Sequence, residues 1–219
     1  MPTLEREGDV FVLDLGDGEN RFTHDWLAEV SSALDEVEKA SGPRALVTAA
    51  AGKFYSYGLD LDWLMTAPDA HDDYIAAVQA VLARVLALPV VTVAAVQGHA
   101  FGAGAMLPLA HDFRVMRADR GFWCLPEADL KLPFTEGMTA LILARLTPQV
   151  AHEAMVTSRR YGGADAVAAG IADRAVDEQA VRATAIEIAA AQAGKADGSL
   201  GAIKSRLYAD AVTALRAAA

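Results

Sequence analysis

Two short segments of the sequence decide its fold class and point to its chemistry. They are residues 53–61, KFYSYGLDL, and residues 96–106, VQGHAFGAGAM. Each places glycine where a strand passes into a helix, so that backbone N–H groups are left without partners inside the helix. Two such donors that converge on one point would stabilise a developing negative charge on oxygen. The pair of segments therefore predicts an enzyme that acts on an activated carbonyl group.

The composition is typical of one folded domain with more apolar surface than its own core requires. The chain has 219 residues, of which 53% are hydrophobic, and we expect the surplus to be buried between subunits. Its 19 Lys and Arg residues are scattered along a chain whose net charge is −10. Because a surface that follows phosphates needs clustered cations, the charge pattern excludes nucleic acid as a partner.

The single cysteine, Cys124, excludes an internal disulfide bond and leaves no cysteine cluster that would bind a metal. The N-terminal residues lack the pattern of a signal peptide, and no apolar run reaches the roughly 18 residues of a membrane helix. We therefore expect a cytoplasmic protein that binds neither a membrane nor a metal. Cys124 itself is predicted to be a buried, unreactive thiol.

Strands and helices alternate along the chain. A buried, β-branched strand is predicted at 90–96, with further strands at 10–15, 45–48, 113–116 and 171–175. This alternation indicates an α/β protein with mostly parallel strand pairing.

Helical spacing predicts the remaining elements. The first helix would present one apolar face made of Trp26, Leu27, Val30, Leu34 and Val37. Later helices are predicted at 72–88, 105–109, 137–146, 149–157, 164–168, 178–193 and 200–215. We expect residues 1–174 to form the core, and residues 175–219 to form a C-terminal helical segment of the same domain.

Several segments taken together resemble the crotonase (enoyl-CoA hydratase/isomerase) superfamily. They are residues 52–61, 94–100, 111–117, 119–122 and 170–173, and they follow the superfamily's order over nearly the full chain. Within the superfamily the sequence is most similar to the short enoyl-CoA delta-isomerases. The resemblance implies an α/β fold of repeated ββα units wound into a spiral. It also implies that C-terminal helices make the contacts of a homotrimer or a hexamer.

The resemblance further implies an acyl-CoA ligand and no separate cofactor, because coenzyme A is part of the substrate. The thioester oxygen would lie between the backbone N–H groups of Leu59 and Ala103. Residues expected to bind the substrate are Ser56, Tyr57, Gly58, Leu59, Asp60, Gly102 and Ala103. The first three would line the entrance for CoA, and Asp60 is also a candidate for the N-cap of the next helix.

The carboxylates that face the acyl chain determine which reaction takes place. Hydratases of the superfamily use two glutamates to hold one water molecule, and by motif these positions fall at Met106 and Glu127. One carboxylate without its partner suits a proton shuttle, so the resemblance implies conversion of 3-enoyl-CoA to 2-enoyl-CoA. Glu136 is the rival base, because its setting resembles the position used by some peroxisomal isomerases. Glu127 is favoured, and both carboxylates stay candidates.

Other functions compete with the isomerase. A non-catalytic fatty acyl-CoA binding protein would keep the carbonyl site without acid/base groups, and an enoyl-CoA hydratase could use a non-standard acid/base set. A dinucleotide site over residues 90–104 is disfavoured, because Gly98, Gly102 and Gly104 lack the spacing of the dinucleotide fingerprint.

Overall fold

The computed structural model describes residues 1–217. Within that range the strands are β1 (Thr3–Glu7), β2 (Val10–Asp14), β3 (Ala45–Ala49), β4 (Phe54–Ser56), β5 (Val91–Val96), β6 (His99–Phe101), β7 (Phe113–Arg117), β8 (Trp123–Cys124) and β9 (Arg174–Val176). The helices are α1 (His24–Lys39), α2 (Leu61–Thr66), α3 (His71–Ala87), α4 (Ala103–Ala110), α5 (Glu127–Leu130), α6 (Glu136–Arg145), α7 (Pro148–Thr157), α8 (Gly163–Ala168), α9 (Glu178–Ala190), α10 (Gly198–Leu207) and α11 (Ala209–Arg216). None of these helices is both long and apolar enough to span a bilayer.

The strands form two sheets that the chain visits in turn. The main sheet has the order β1-β2-β3-β5-β7-β9, with β1 antiparallel to β2 and every other neighbouring pair parallel. The second sheet is parallel and has the order β4-β6-β8. One strand from each sheet and then a helix make the units β3–β4–α2, β5–β6–α4 and β7–β8–α5. These repeated ββα units confirm the predicted fold class.

Both faces of the main sheet are buried. All residues of β3 and β5 are buried, as expected for central parallel strands, and successive side chains point to opposite faces. On one face Leu46 and Ala94 belong to the core shared with α1, α3 and α4. On the other face Val47 and Val93 pack with Val181 of α9. The predicted apolar face of α1 is buried as well, which fixes that helix against the sheet.

The C-terminal helices pack against the core rather than standing apart from it. The expected boundary between residues 174 and 175 falls inside β9, and α9 covers one face of the main sheet. Helix α11 packs against α3 and α6. Residues 218–219 of the expected C-terminal segment lie outside the described residues. That this segment makes contacts between subunits stays a prediction.

Most predicted elements occur within two residues of their expected bounds, and the main differences concern β1, the last strand and the last predicted helix. The sequence pattern does not predict β1, because this edge strand is exposed and carries charges at alternate and adjacent positions. The strand expected at 171–175 is shorter and later, at Arg174–Val176. The single helix expected over 200–215 is broken at Tyr208, whose hydroxyl and ring contact the guanidinium of Arg145.

The two glycine segments lie against each other, backbone to backbone. A Cβ atom on Gly104 would lie 2.5 Å from the carbonyl oxygen of Ser56, and one on Gly58 would lie 2.6 Å from the carbonyl oxygen of Phe101. Real Cβ atoms do not approach backbone atoms so closely, so both positions require glycine. This contact brings the end of β4 beside the beginning of α4.

Replacing Gly104 with alanine tests this contact. We expect Gly104→Ala to lower the free energy of unfolding by about 1–3 kcal/mol, because the new methyl group must displace the backbone at Ser56. Urea unfolding followed by circular dichroism measures the change. Gly162→Ala is the matched control, since its Cβ would meet no atom within 4 Å. Equal stability of the two variants would contradict the contact.

Candidate active site

A cavity of about 820 Å³ opens beside the contact between the two glycine segments. Six of the residues predicted for the site line this cavity: Tyr57, Leu59, Gly102, Ala103, Glu127 and Glu136. Much of the remaining wall is apolar and comes from Leu61, Leu64, Ile75, Leu132, Phe134 and Met138. The structure therefore brings the predicted backbone donors and both candidate bases to one cavity.

Two backbone N–H groups at the cavity have no acceptor among residues 1–217. The first belongs to Leu59, which follows Gly58 at a φ of 88°, and the second belongs to Ala103, the first residue of α4. Gly102, which precedes Ala103, has a φ of 55°, a conformation that L side chains rarely adopt. Ala103 N lies only 3.1 Å from where a Cβ of Gly58 would be. Both donors are thus held next to each other by glycine backbones.

Glu127 is the carboxylate that lies beside Gly102, the residue before Ala103. Its Oε1 atom is 3.3 Å from where a Cβ of Gly102 would be, next to the N–H group of Ala103. Its Oε2 atom is enclosed and has no hydrogen-bond partner within residues 1–217. Burial raises the pKa of Glu127 from 4.5 to about 7, against a smaller lowering by a backbone hydrogen bond. Glu127 can therefore both accept and release a proton near neutral pH.

Glu136 occupies a different environment on the same cavity. It is the first residue of α6, whose N-cap Thr135 accepts a hydrogen bond from the backbone N–H of Met138. The side chain of Glu136 is exposed to solvent, unlike that of Glu127. Asp129, which sequence patterns did not single out, also lines the cavity and is exposed.

Met106 stands in α4, three residues after Ala103, and is fully buried in the core. Its thioether can neither donate nor accept a proton at the cavity. The position expected for the first glutamate of a hydratase therefore carries no acid or base. Within residues 1–217 there is also no group of three or more His, Cys, Asp or Glu side chains arranged to hold a metal ion.

Three of the predicted substrate-binding residues do not line the cavity. The hydroxyl of Ser56 is turned away from it, donating to the carbonyl oxygen of Asn20 and accepting from the N–H of Gly58. Gly58 is buried behind Leu59 in the contact with α4. Asp60 caps α2 through the N–H of Trp63, which is the second role considered for it. These residues shape the wall from behind instead of facing a ligand.

Of the exposed side chains that line the cavity, Tyr57 was predicted from the sequence, and Arg160 was missed. Arg160 is exposed there and lies over the ring of Phe101, 5.8 Å from its centroid. No carboxylate within the described part of the chain forms a salt bridge with Arg160. Tyr57 is 41% exposed and packs edge-on against Phe101. No sequence pattern links Arg160 to the glycine segments, because the fold alone brings it there.

Cys124 lines the same cavity as Glu127, but its thiol is not reactive. Its Sγ atom is buried and lies 3.2 Å from the carbonyl oxygen of Ser158. Burial raises its pKa to about 11, so the thiol is protonated at neutral pH. The prediction of a buried, unreactive thiol agrees with this environment.

The fold and the paired glycine segments define a crotonase-type α/β spiral, and comparisons with known proteins identify the family. The family described as "Enoyl-CoA hydratase/isomerase" matches residues 5–219. Enoyl-CoA delta isomerase 3 of Arabidopsis thaliana is 37% identical over 187 residues, which are 82% of this chain and 79% of that relative. The peroxisomal enoyl-CoA delta isomerase 2 of the same plant is 38% identical over 184 residues, covering 80% and 77%. The chain belongs to the enoyl-CoA hydratase/isomerase family.

A solved structure supports the same assignment. A protein of Mycobacterium tuberculosis, described as an enoyl-CoA isomerase in one structure and as a probable enoyl-CoA hydratase in another, is 27% identical to this chain. The first of these structures superposes with a TM-score of 0.90 over 98% of this chain and 94% of that one. The resemblance found in the sequence is therefore confirmed at the level of both family and fold.

Replacing Glu127 tests its burial through stability. Ionising the buried carboxyl costs free energy only in the folded state, so the wild type loses stability as pH rises from about 4.5 to about 7. Glu127→Gln cannot ionise, and we expect it to be more stable than the wild type at pH 8, by on the order of 1–3 kcal/mol. The gain should vanish below pH 4. Urea unfolding at both pH values measures it, and a gain independent of pH would contradict the burial of a titrating carboxyl.

Proposed function

We propose that this protein is an enoyl-CoA delta-isomerase, which converts 3-enoyl-CoA to 2-enoyl-CoA. The observation that carries the proposal is the half-buried carboxylate of Glu127 beside Gly102, whose neighbour Ala103 has a backbone N–H without an acceptor in residues 1–217. The family and the two plant relatives named delta isomerases support the reaction class. No separate cofactor enters the proposal, because coenzyme A is part of the substrate.

The N–H groups of Leu59 and Ala103 would bind the thioester oxygen. When a proton leaves the α carbon, negative charge moves onto this oxygen, and the two donors stabilise it without reorganising. Removal of one such donor from other enzymes costs roughly 3–4 kcal/mol of transition-state stabilisation. The apolar wall of the cavity strengthens the interaction, because little water screens it.

Glu127 would move the proton. In 3-enoyl-CoA the α carbon lies between the carbonyl group and the double bond, so loss of its proton gives a conjugated dienolate. Return of the proton to the γ carbon leaves the double bond next to the carbonyl group. A carboxyl with a pKa of about 7 suits both steps, because it accepts and releases the proton at similar cost.

Two alternatives have support from particular residues. Met106 at the position of the first hydratase glutamate disfavours ordinary hydration and would also suit a non-catalytic acyl-CoA binding protein. Asp129 and Glu136 on the cavity wall could serve a hydratase with a non-standard acid/base set. Detection of 3-hydroxyacyl-CoA as product, or binding without turnover, distinguishes these alternatives from the isomerase.

The CoA part of the substrate would lie at the mouth of the cavity. Tyr57 and Phe101 offer aromatic surface there, and Arg160 offers a cation that no carboxylate of residues 1–217 pairs with. A guanidinium group binds phosphate oxygens through charge-assisted hydrogen bonds. Arg160 is therefore proposed to bind a phosphate of CoA, in a chain whose net charge of −10 would otherwise repel it.

We also propose a cytoplasmic homotrimer or hexamer. Support for self-association comes from large apolar side chains that are exposed on two helices, Leu143 of α6 and Ile203 and Leu207 of α10. Burial of such side chains between subunits would be favourable.

Replacing the two candidate bases tests the reaction. We expect Glu127→Gln to lower kcat for conversion of 3-enoyl-CoA to 2-enoyl-CoA at least about 100-fold, because the amide cannot accept the proton. Glu136→Gln is the matched control and should retain most of the activity. The absorbance of the conjugated product, with product chromatography, measures the rates. Loss of activity only in Glu136→Gln would transfer the role of base to Glu136.

Replacing Arg160 tests its contact with CoA, and its neighbour Arg159 provides the control. Arg159 forms an ion pair with Glu153 at 3.0 Å and does not line the cavity. We expect Arg160→Gln to weaken binding of free CoA about 10-fold, with reduced dependence on salt, and Arg159→Gln to leave the affinity nearly unchanged. Isothermal titration calorimetry at two salt concentrations measures both. Equal affinities of the two variants would exclude Arg160 as the phosphate contact.

A further inference from the structure

One buried polar side chain on the cavity wall has no part in the proton transfer. Gln79 lies in α3 on the face that otherwise buries Ile75, Val78, Leu82 and Leu86, and it is only 1% exposed. An apolar residue would fit this face at lower cost, because an unpaired buried amide group destabilises a protein by about 1–3 kcal/mol. The presence of an amide therefore calls for a partner.

The carbonyl end of the Gln79 amide is engaged by α6. Thr135 accepts a hydrogen bond from the N–H of Met138, and its own hydroxyl donates to Oε1 of Gln79 at 2.7 Å. Oε1 also lies 2.4 Å from where a Cβ of Gly137 would be, so this end of the amide rests against the backbone of α6. In the structure, the oxygen end of the amide group thus faces α6, and its nitrogen end points away from that helix.

The nitrogen end of the same amide has no acceptor within residues 1–217. Gln79 lines the cavity, and its Nε2 atom is not among the enclosed side-chain nitrogens that lack a partner. The amide N–H groups are therefore directed to the cavity itself. A hydrogen-bond donor in a largely apolar pocket is a feature by which the pocket selects one ligand over a close analogue.

We propose that Gln79 is a specificity-determining residue, whose amide N–H groups bind an oxygen atom carried by the acyl chain. The inference rests on the proposed function and names its substrate class: enoyl-CoA thioesters with a hydroxyl or oxo group beyond the reacting carbons. A neutral oxygen is favoured over a carboxylate, because Glu136 lies on the same wall and would repel an anion.

Matched pairs of 3-enoyl-CoA esters, with and without a terminal hydroxyl or oxo group over several chain lengths, test the proposal. At one chain length or more, we expect the wild type to show a kcat/KM at least about 10-fold higher for the oxygen-bearing ester. In Gln79→Met, which keeps the volume and removes the amide, the ratio should fall to about one. A ratio near one in the wild type at every length would overturn the proposal.

A second variant separates substrate binding from a purely structural role. Thr135→Val removes the bond to Oε1 and the N-cap bond from Met138, but the oxygen end of the Gln79 amide still rests against the backbone at Gly137. The N–H groups therefore keep their direction, and the preference for the oxygen-bearing ester should persist. If Gln79 only supports α6 or Glu136, Gln79→Met will lower kcat/KM equally for both esters, which contradicts the proposal. Urea unfolding of both variants confirms that they are folded.

Binding measurements keep this inference distinct from the proposed function. Calorimetric titration with saturated acyl-CoA esters, which cannot be isomerised, should show the same preference for oxygen in the wild type and its loss in Gln79→Met. Turnover of plain 3-enoyl-CoA without any oxygen preference would support the isomerase and overturn the role of Gln79. Oxygen preference in binding without turnover of any ester would support Gln79 and overturn the isomerase.

Discussion

The contact between the two glycine segments is the constraint on which the site depends. Gly58 lies against the carbonyl oxygen of Phe101, and Gly104 lies against that of Ser56, at distances that leave no room for a side chain. Because β4 and β6 are neighbours in the small parallel sheet, the chain leaves both strands at the same edge. Leu59 and Ala103 come shortly after the ends of these two strands. The fold therefore holds their N–H groups in position before any ligand binds.

The same enclosure that, under the proposed function, would favour binding of an enolate oxygen imposes costs on the free protein. A cavity wall of low polarity strengthens the interaction of two amide dipoles with a negative charge. It also removes solvent from Glu127 and raises the pKa of that carboxyl to about 7. The unpaired Oε2 of Glu127 and the amide nitrogen of Gln79 are polar atoms that a purely structural core would avoid. Both atoms lower the stability of the free protein, and both lie at the cavity where the proposed function places the substrate.

Local sequence patterns predicted the elements that form the walls of the site but not the contacts between them. The apolar spacing of α1 and the β-branched run of β5 have local causes, and both elements occur as expected. The end of β4, the start of α4 and Glu127 were located through motifs. The end of β4 and the start of α4 have a local cause, since the backbone has a positive φ at Gly58 and Gly102. The roles of those residues, in contrast, were implied by resemblance to a family.

The remaining features depend on contacts between distant segments. Arg160 reaches the cavity mouth from the turn after α7, and Gln79 meets Thr135 across 56 residues of sequence. The sequence favoured Glu127 over Glu136 but left both as candidates, because the difference between them in the structure is burial. Helix α5 packs against α7, and Glu127 lies beside Gly102, an arrangement that no local pattern encodes.

The central claim is that one carboxylate carries a proton from the α carbon to the γ carbon of the acyl chain. The most direct measurement follows a 3-enoyl-CoA labelled with deuterium at the α carbon, with the product analysed by mass spectrometry and deuterium NMR. A single enclosed base predicts that a measurable part of the label removed from the α carbon appears at the γ carbon of 2-enoyl-CoA. Complete replacement of that label by solvent hydrogen, or accumulation of 3-hydroxyacyl-CoA, would contradict the account.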